Sequence, residues 1–364
     1  MFAPKTPFEV TEIAVDKPAP REVLVRVGAS SLCHSDFHFA NGDLPFAMPV
    51  VLGHEVAGIV EQVGSEVTTV VVGDHVVACA SSFCGQCDKC VSGRNHLCAR
   101  KPKRTDSEKP RLSLLNGDRV HQGSLVGGFA EQLLVHENAI VRIPRELSLD
   151  RAALLGCGVV TGLGVVFNAA KVRPNSCVVV VGCGGVGLNV IQGAKLAGAR
   201  QIIAVDPIPQ KRELALKLGA TDAVVGGPNA VEEVRALSNG GADFSFEVIG
   251  LPHTMEQAVL MLAPGGLMTV VGAMAAGAKI SLPGISMLFN EWRVQGSYLG
   301  SSPFTRDIPR YASLCLCGKL DLDSLIAERI QLEDVNQGFA TMLGGTQARS
   351  VIVFPEVMAE AARA

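Results

Sequence analysis

Eleven of the 364 residues are cysteine, and four fall in one short stretch as Cys84, Cys87, Cys90 and Cys98. Four thiolates at this spacing, with Gly85 and Gly93 to let the chain wrap, suit a tetrahedral zinc that has no open position. A closed site of this kind holds a loop in place and activates no substrate. An iron–sulfur cluster or a redox dithiol would be the competing uses of the same sulfurs.

A second candidate site is Gly182-Cys183-Gly184-Gly185-Val186-Gly187. The pattern G-x-G-x-x-G is common in glycine-rich chains and says little alone. Here it directly follows an apolar run and opens a helical stretch. Gly182 then permits a tight turn, Gly184 lets backbone approach a pyrophosphate, and Gly187 lets helix and strand pack closely. The helix start offers free N–H groups to phosphate, with Gly185 in its first turn. Asp206 ends the next apolar run, 24 residues after Gly182. A carboxylate there accepts the ribose hydroxyls of NAD and repels the 2′-phosphate of NADP, although Lys211 and Arg212 lie near enough to blur that choice.

These groups must be positioned by a chain of about two domains, taking about 150 residues for each. The charged residues are 32 Lys plus Arg against 35 Asp plus Glu, a net charge of -3. That balance gives no support for nucleic-acid binding or for steering to an anionic membrane. With 48% hydrophobic and 18% charged residues the chain is not of the disordered class. Residues 258–278 carry no charge, but Pro264-Gly265-Gly266 at their centre reads as a turn between a helix and a strand rather than as part of a membrane span. No signal peptide is visible, so the reading is a cytoplasmic protein with reduced thiols.

Residues 22–27, 58–63 and 70–78 read as strands with turn punctuation, and residues 101–126, with nine charged side chains, as a long surface loop. From about 159 the pattern changes. Apolar runs at 176–181, 201–205, 223–225, 244–248 and 267–271 alternate with helical stretches at 185–196, 210–218 and 230–237. Buried strands alternating with helices predict βαβ units and a doubly wound parallel sheet. After about 299 the alternation is expected to stop.

Three further residues carry chemistry but cannot be grouped by spacing: Cys33 in Cys33-His34-Ser35-Asp36, His54 in Gly53-His54-Glu55, and Cys157 in Gly156-Cys157-Gly158. One at a time, each reads as an ordinary interior residue. Taken in order, the segment from Cys33 to Glu55, the four-cysteine lobe, Gly156-Cys157-Gly158-Val159-Val160-Thr161-Gly162 and the Gly182 loop resemble zinc-containing medium-chain alcohol dehydrogenases. So do residues 239–250, Gly296-Ser297-Tyr298 and Arg349-Ser350-Val351-Ile352, and the likeness covers nearly the whole chain.

The resemblance implies an α/β protein: a β-rich GroES-like catalytic domain over 1–158 and 299–364, with a structural zinc lobe near 79–101, and an inserted Rossmann NAD-binding domain over 159–298. It implies two zinc ions per chain. Cys33, His54 and Cys157 match the ligands of a catalytic zinc with a fourth position open, and Cys84, Cys87, Cys90 and Cys98 match those of the structural zinc. Asp36 matches the carboxylate that orients the ligand histidine, and Glu55 a residue that aids ligand exchange. Ser35 and His38 match a proton relay. Thr161, Val186 and Val271 match the nicotinamide lining, Asp206 and Lys211 the adenosine ribose contacts, and His34 and Arg349 the pyrophosphate contacts. The implied reaction is reversible hydride transfer between a primary or aromatic alcohol and NAD, in a homodimer or, alternatively, a homotetramer.

Two other readings stand beside it. A glutathione-dependent formaldehyde dehydrogenase usually carries Tyr at the position of His38 and a longer segment before Gly53. A non-enzymatic zinc module would use the four-cysteine lobe alone. Three departures from the family pattern are visible. Most of the strand that precedes Phe2–Val10 in relatives is missing, His34 stands where Arg also occurs, and Leu299 stands where Phe is frequent. The expected substrate pocket, drawn from residues near Phe37, Leu44, Phe46, 101–126, Phe129, Val271 and Leu288, is mostly apolar. Cys79, Cys177, Cys183, Cys315 and Cys317 have no expected role.

Overall fold

The computed structural model describes residues 1–345 and 348–363. They form two compact units, 1–157 with 303 onward, and 158–302.

In the second unit, Cys177–Val181 is a run of β-branched residues preceded by one cysteine, and all five are buried. Such a run suits a strand covered on both faces. It lies at the middle of a six-stranded parallel sheet ordered Asp222–Val225, Gln201–Asp206, Cys177–Val181, Ala242–Glu247, Leu262–Val270, Arg293–Gly296. Chain order reverses between Cys177–Val181 and Ala242–Glu247. Ligands of open α/β sheets bind at the carboxyl ends of strands beside such a reversal. Helices Gly185–Leu196, Pro209–Leu218, Ala230–Leu237 and Pro252–Leu260 make the crossovers. Pro264 to Gly266 is not the boundary expected from the sequence. Leu262 already pairs with Ala242, and the proline and glycines form an irregularity inside the strand, with Gly265 at φ +77°.

In the first unit, Glu22–Ser31 is the central strand. It pairs antiparallel with Glu55–Val63, Gln132–His136 and Arg349–Val353. His75–Ala78 and Ile140–Arg142 extend the sheet on one side and Ile326–Ile330 on the other. The expected strand at 70–78 is shorter, because Val70 to Asp74 turn before His75.

Two further expectations are corrected here. Residues 101–126 are not a free loop. Leu112–Ser113 and Arg119–Gln122 form a hairpin in a small sheet with Ala14–Val15 and Val50–Val51. The charges that suggested a loop tie it down instead, with Arg111 Nε 2.7 Å from Glu22 and Arg104 Nη1 2.6 Å from Asp16. The alternation also does not end at 299. Helix Phe304–Leu316, strand Ile326–Ile330, helix Val335–Leu343 and strand Arg349–Val353 follow, the two strands parallel. Ile326–Ile330 alternates half-buried and exposed residues at a sheet edge, so it lacks the continuous apolar run that marked the earlier strands.

Candidate zinc centres and cofactor site

Strand register brings the first unit's chemistry together. Ser31 is the register partner of Glu55, so Cys33, just beyond one strand, meets His54, just before the other. Val351 is the partner of Ser31, which carries Arg349 to the same place. A Cβ on Gly156 would meet the Ala78 carbonyl oxygen at 2.5 Å. Only glycine lets this stretch lie so close to the sheet, and Cys157 follows it. The outcome is a buried cluster in which single ligand atoms of Cys33, His54, Glu55 and Cys157 lie within 4.8 Å of one another.

Asp36 holds this cluster from behind. One carboxylate oxygen lies 2.9 Å from His54 Nδ1 and the other accepts the Gly53 N–H at 3.0 Å. The imidazole is thereby fixed with Nε2 toward the thiols, the usual arrangement for a metal-bound histidine. Burial disfavours the His54 imidazolium, but Asp36 and Cys33 outweigh it and raise its pKa well above the ordinary value. Cys33 is held well below the usual thiol range by a hydrogen bond from Cys157, with Arg349 and His54 adding positive charge, while Cys157 is pushed up as the donor. A proton shared between two sulfurs beside cationic groups is what a divalent cation would displace. Burial pushes Glu55 up to about 7 despite Arg349, whose Nη2 lies 3.1 Å away.

The four-cysteine lobe is built differently. Cys84 Sγ is 3.9 Å from Cys90 Sγ, and Cys87 Sγ is 3.5 Å from Cys90 and 3.8 Å from Cys98. Zn–S bonds of about 2.3 Å in a tetrahedron put sulfurs about 3.8 Å apart, so the geometry fits zinc. Backbone N–H groups of Gln86 and Cys87 lower the Cys84 thiol to about 6, ready for the thiolate. Gly85 and Gly93, at φ +80° and +75°, make the turns.

The glycines of the second unit form a turn whose shape fits a dinucleotide. Gly182 is at φ +99°, and a Cβ there would lie 2.6 Å from Ile249 across the reversal point. A Cβ on Gly187 would lie 1.9 Å from the Gly182 carbonyl oxygen, so helix Gly185–Leu196 packs as closely as the motif requires. A Cβ on Gly184 would meet nothing within 4 Å, which leaves its backbone and the helix start open to phosphate. Asp206 accepts the Cys183 and Ile208 N–H groups at 2.8 and 2.9 Å, which fixes the carboxylate beside this turn. Lys211 and Val186 are half-buried, as is Val271 after Leu262–Val270. Thr161 is buried, and its hydroxyl has no hydrogen-bond partner among the described residues. Such an orphan suits a polar group of a ligand.

The other expected positions vary. Ser35 and His38 are half-buried and His34 is exposed, all on helix His34–Ala40. Arg349 is buried, with Nη1 donating to the Leu32 carbonyl at 2.6 Å as well as facing Glu55. Phe37 and Phe129 pack against Phe339 in an apolar cluster, and Leu288 is exposed. Burial pushes the thiols of Cys79 and Cys183 up to about 11 and about 12, which suits inert core residues. Sequence reading missed Asp43, 2.9 Å from His38 Nδ1. The signal was the Asn41-Gly42 pair, a turn that reverses the chain just after the helix.

Residues 19–145 match the family model of the alcohol dehydrogenase GroES-like domain, and residues 185–316 that of zinc-binding dehydrogenase. The NDMA-dependent alcohol dehydrogenase of Amycolatopsis methanolica is 37% identical, covering 95% of each chain. The S-(hydroxymethyl)glutathione dehydrogenase of Photobacterium damsela subsp. piscicida is 35% identical, covering 96% of this chain and 97% of its own. The solved benzyl alcohol dehydrogenase of Acinetobacter calcoaceticus matches with a TM-score of 0.88 at 32% identity, over 95% of this chain and 96% of that chain. These near-full-length likenesses, joined to two donor sets that fit zinc and a glycine cradle that fits NAD, show that the chain belongs to the zinc-dependent medium-chain alcohol dehydrogenases, oxidoreductases acting on the CH–OH group.

Proposed function

We propose that this chain interconverts primary or aromatic alcohols and their aldehydes with NAD, using one zinc at Cys33, His54 and Cys157 and a second at Cys84, Cys87, Cys90 and Cys98. The buried cluster of Cys33, His54, Glu55 and Cys157 carries this reading. When bound, zinc supplies Lewis acidity to the substrate oxygen and NAD accepts the hydride. Asp36 keeps His54 in its ligating orientation. Glu55, balanced by Arg349, stands within reach of the same position and assists ligand exchange. Ser35 takes up the alcohol proton and His38 exchanges it with water. In the cofactor unit, backbone N–H groups at Gly184 and Gly185 bind the pyrophosphate, with Gly182 and Gly187 shaping the turn. Asp206 and Lys211 hold the adenosine ribose. Thr161, Val186 and Val271 line the nicotinamide.

The preference for aromatic or primary alcohols draws support from the likeness to a benzyl alcohol dehydrogenase and from the apolar side chains of Phe37, Leu44, Phe46 and Phe129. Turnover of S-hydroxymethylglutathione is the second reading, favoured by the 35% identical relative of that name. No single helix among the described residues is long and apolar enough to cross a membrane. A cytoplasmic site suits six ligand cysteines that must stay reduced. A homodimer rests on the resemblance of residues 101–126 to dimeric family members, and light scattering tests it. A screen of alcohols and aldehydes with NAD and NADP, alongside zinc per chain by mass spectrometry, tests the whole reading. Benzyl and primary alcohols with NAD, and two zinc ions per chain, are expected. Turnover confined to S-hydroxymethylglutathione would replace this substrate class with the second.

A further inference from the structure

We propose that Asp43 is a positioning residue for His38: its carboxylate holds the imidazole by Nδ1 and leaves Nε2 as the atom that takes up the proton. This rests on the reading of His38 as the outer base of the relay.

His38 stands in the last turn of helix His34–Ala40. The chain continues through Asn41 into Gly42 at φ +75°, a left-handed conformation that glycine adopts without strain. The turn brings Asp43 back under the helix end, where its backbone N–H donates to the His38 carbonyl at 2.9 Å and that of Leu44 to the same oxygen at 3.3 Å. The two side chains are therefore joined through backbone as well as directly. Asp43 Oδ2 lies 2.9 Å from His38 Nδ1, and Asp43 Oδ1 accepts from Asn41 Nδ2 at 2.9 Å. With both oxygens engaged, the carboxylate has one orientation to offer.

A carboxylate on one ring nitrogen decides which tautomer the neutral imidazole takes. Here it selects the proton on Nδ1 and a lone pair on Nε2. A proton taken up at Nε2 makes an imidazolium whose charge Asp43 balances. Neutral imidazole and carboxylate return when a solvent water accepts one proton. No electrons move, and water completes the balance. Both side chains are about one-third exposed, so water reaches the pair. The hydrogen bond from His38, then that from Asn41, holds the Asp43 carboxyl below its ordinary range, and Lys5 adds to it. Lys5 is the cation that faces Asp43 from the N-terminal segment, whose backbone N–H donates to the Ala40 carbonyl. Phe37, whose ring centroid lies 6.5 Å from that of His38, brings no charge. A carboxylate that fixes the tautomer of a histidine base is the third member of the serine-protease triad in another setting.

The test uses the full-length zinc-loaded enzyme as wild type, Asp43→Asn, Asp43→Glu, His38→Gln and the Asp43→Asn/His38→Gln double variant. Stopped-flow NADH formation is followed across pH, with ¹⁵N NMR of the histidine rings and a melting curve for each. Asp43→Asn is expected to slow alcohol oxidation about tenfold, in kcat more than in KM. The His38 signal should change from a single Nδ1–H tautomer to a mixture while melting is unchanged. Asp43→Glu should restore part of the rate, and the double variant should be no slower than His38→Gln. If His38→Gln is slow but Asp43→Asn keeps the wild-type rate and tautomer, the role of Asp43 is overturned and the relay stands. If His38→Gln itself leaves rate and profile unchanged, the relay reading falls first.

Discussion

Cys84, Cys87, Cys90 and Cys98 come from one loop, three of them only half-buried. Cys33, His54 and Cys157 come from three distant stretches and are all buried, beside Glu55 and Arg349. The loop cluster needs only two glycine turns and a few backbone N–H groups aimed at sulfur. The buried cluster needs the register of Glu22–Ser31 against Glu55–Val63, the approach of Gly156 to the sheet, and Asp36 behind His54. In the loop, four sulfurs at tetrahedral spacing leave zinc no further position. In the buried cluster, Cys33, His54 and Cys157 are the ligands of the proposed catalytic zinc, with Glu55 and Arg349 paired beside them. Local spacing thus builds the loop cluster, and tertiary register builds the buried one to which the proposed chemistry is assigned.

Three substitutions test this division, in order of expected effect. Cys157→Ser should remove the buried zinc and cut kcat/KM by about 1,000-fold or more, the several kcal/mol that Lewis-acid stabilisation supplies, with an unchanged far-ultraviolet circular dichroism spectrum. Retained turnover in zinc-free buffer would sink the assignment. Cys90→Ser should act on stability first. One zinc per chain is lost and the melting temperature falls by about 10 °C, a loss of roughly 3–4 kcal/mol. If the two variants had the same ratio of activity loss to thermal shift, the contrast between the clusters would be wrong. Asp36→Asn should be the mildest, weakening zinc binding or activity by about 10- to 100-fold. Competition with a chelator reads it as the loss of one zinc of two, the loop zinc being unaffected.

Much of the fold was legible in local runs. The strands at 177–181 and 201–206 and the helices at 185–196 and 230–237 agree with the sequence reading to within a residue, because short buried apolar runs alternating with helix-length stretches are visible locally. The hairpin at 112–122 and the strand at 326–330 did not. Their residues are half-polar, and what makes them strands is a partner edge and, for the hairpin, the buried ion pairs of Arg104 and Arg111. Asp43 was missed because the Asn41-Gly42 turn marks a reversal of the chain without telling which side chain Asp43 will face.

The sequence by itself determined the loop cluster, the glycine cradle and the carboxylate of Asp206, since each depends on a few neighbouring residues or on one βαβ step. Only a likeness to known enzymes grouped Cys33, His54 and Cys157 in advance. Their meeting, the grip of Asp36 on His54, the pairing of Arg349 with Glu55 and that of Asp43 with His38 were decided by tertiary structure. The physical reason is that register and burial, not spacing, set the distance between residues far apart in the chain, and with it their charge state.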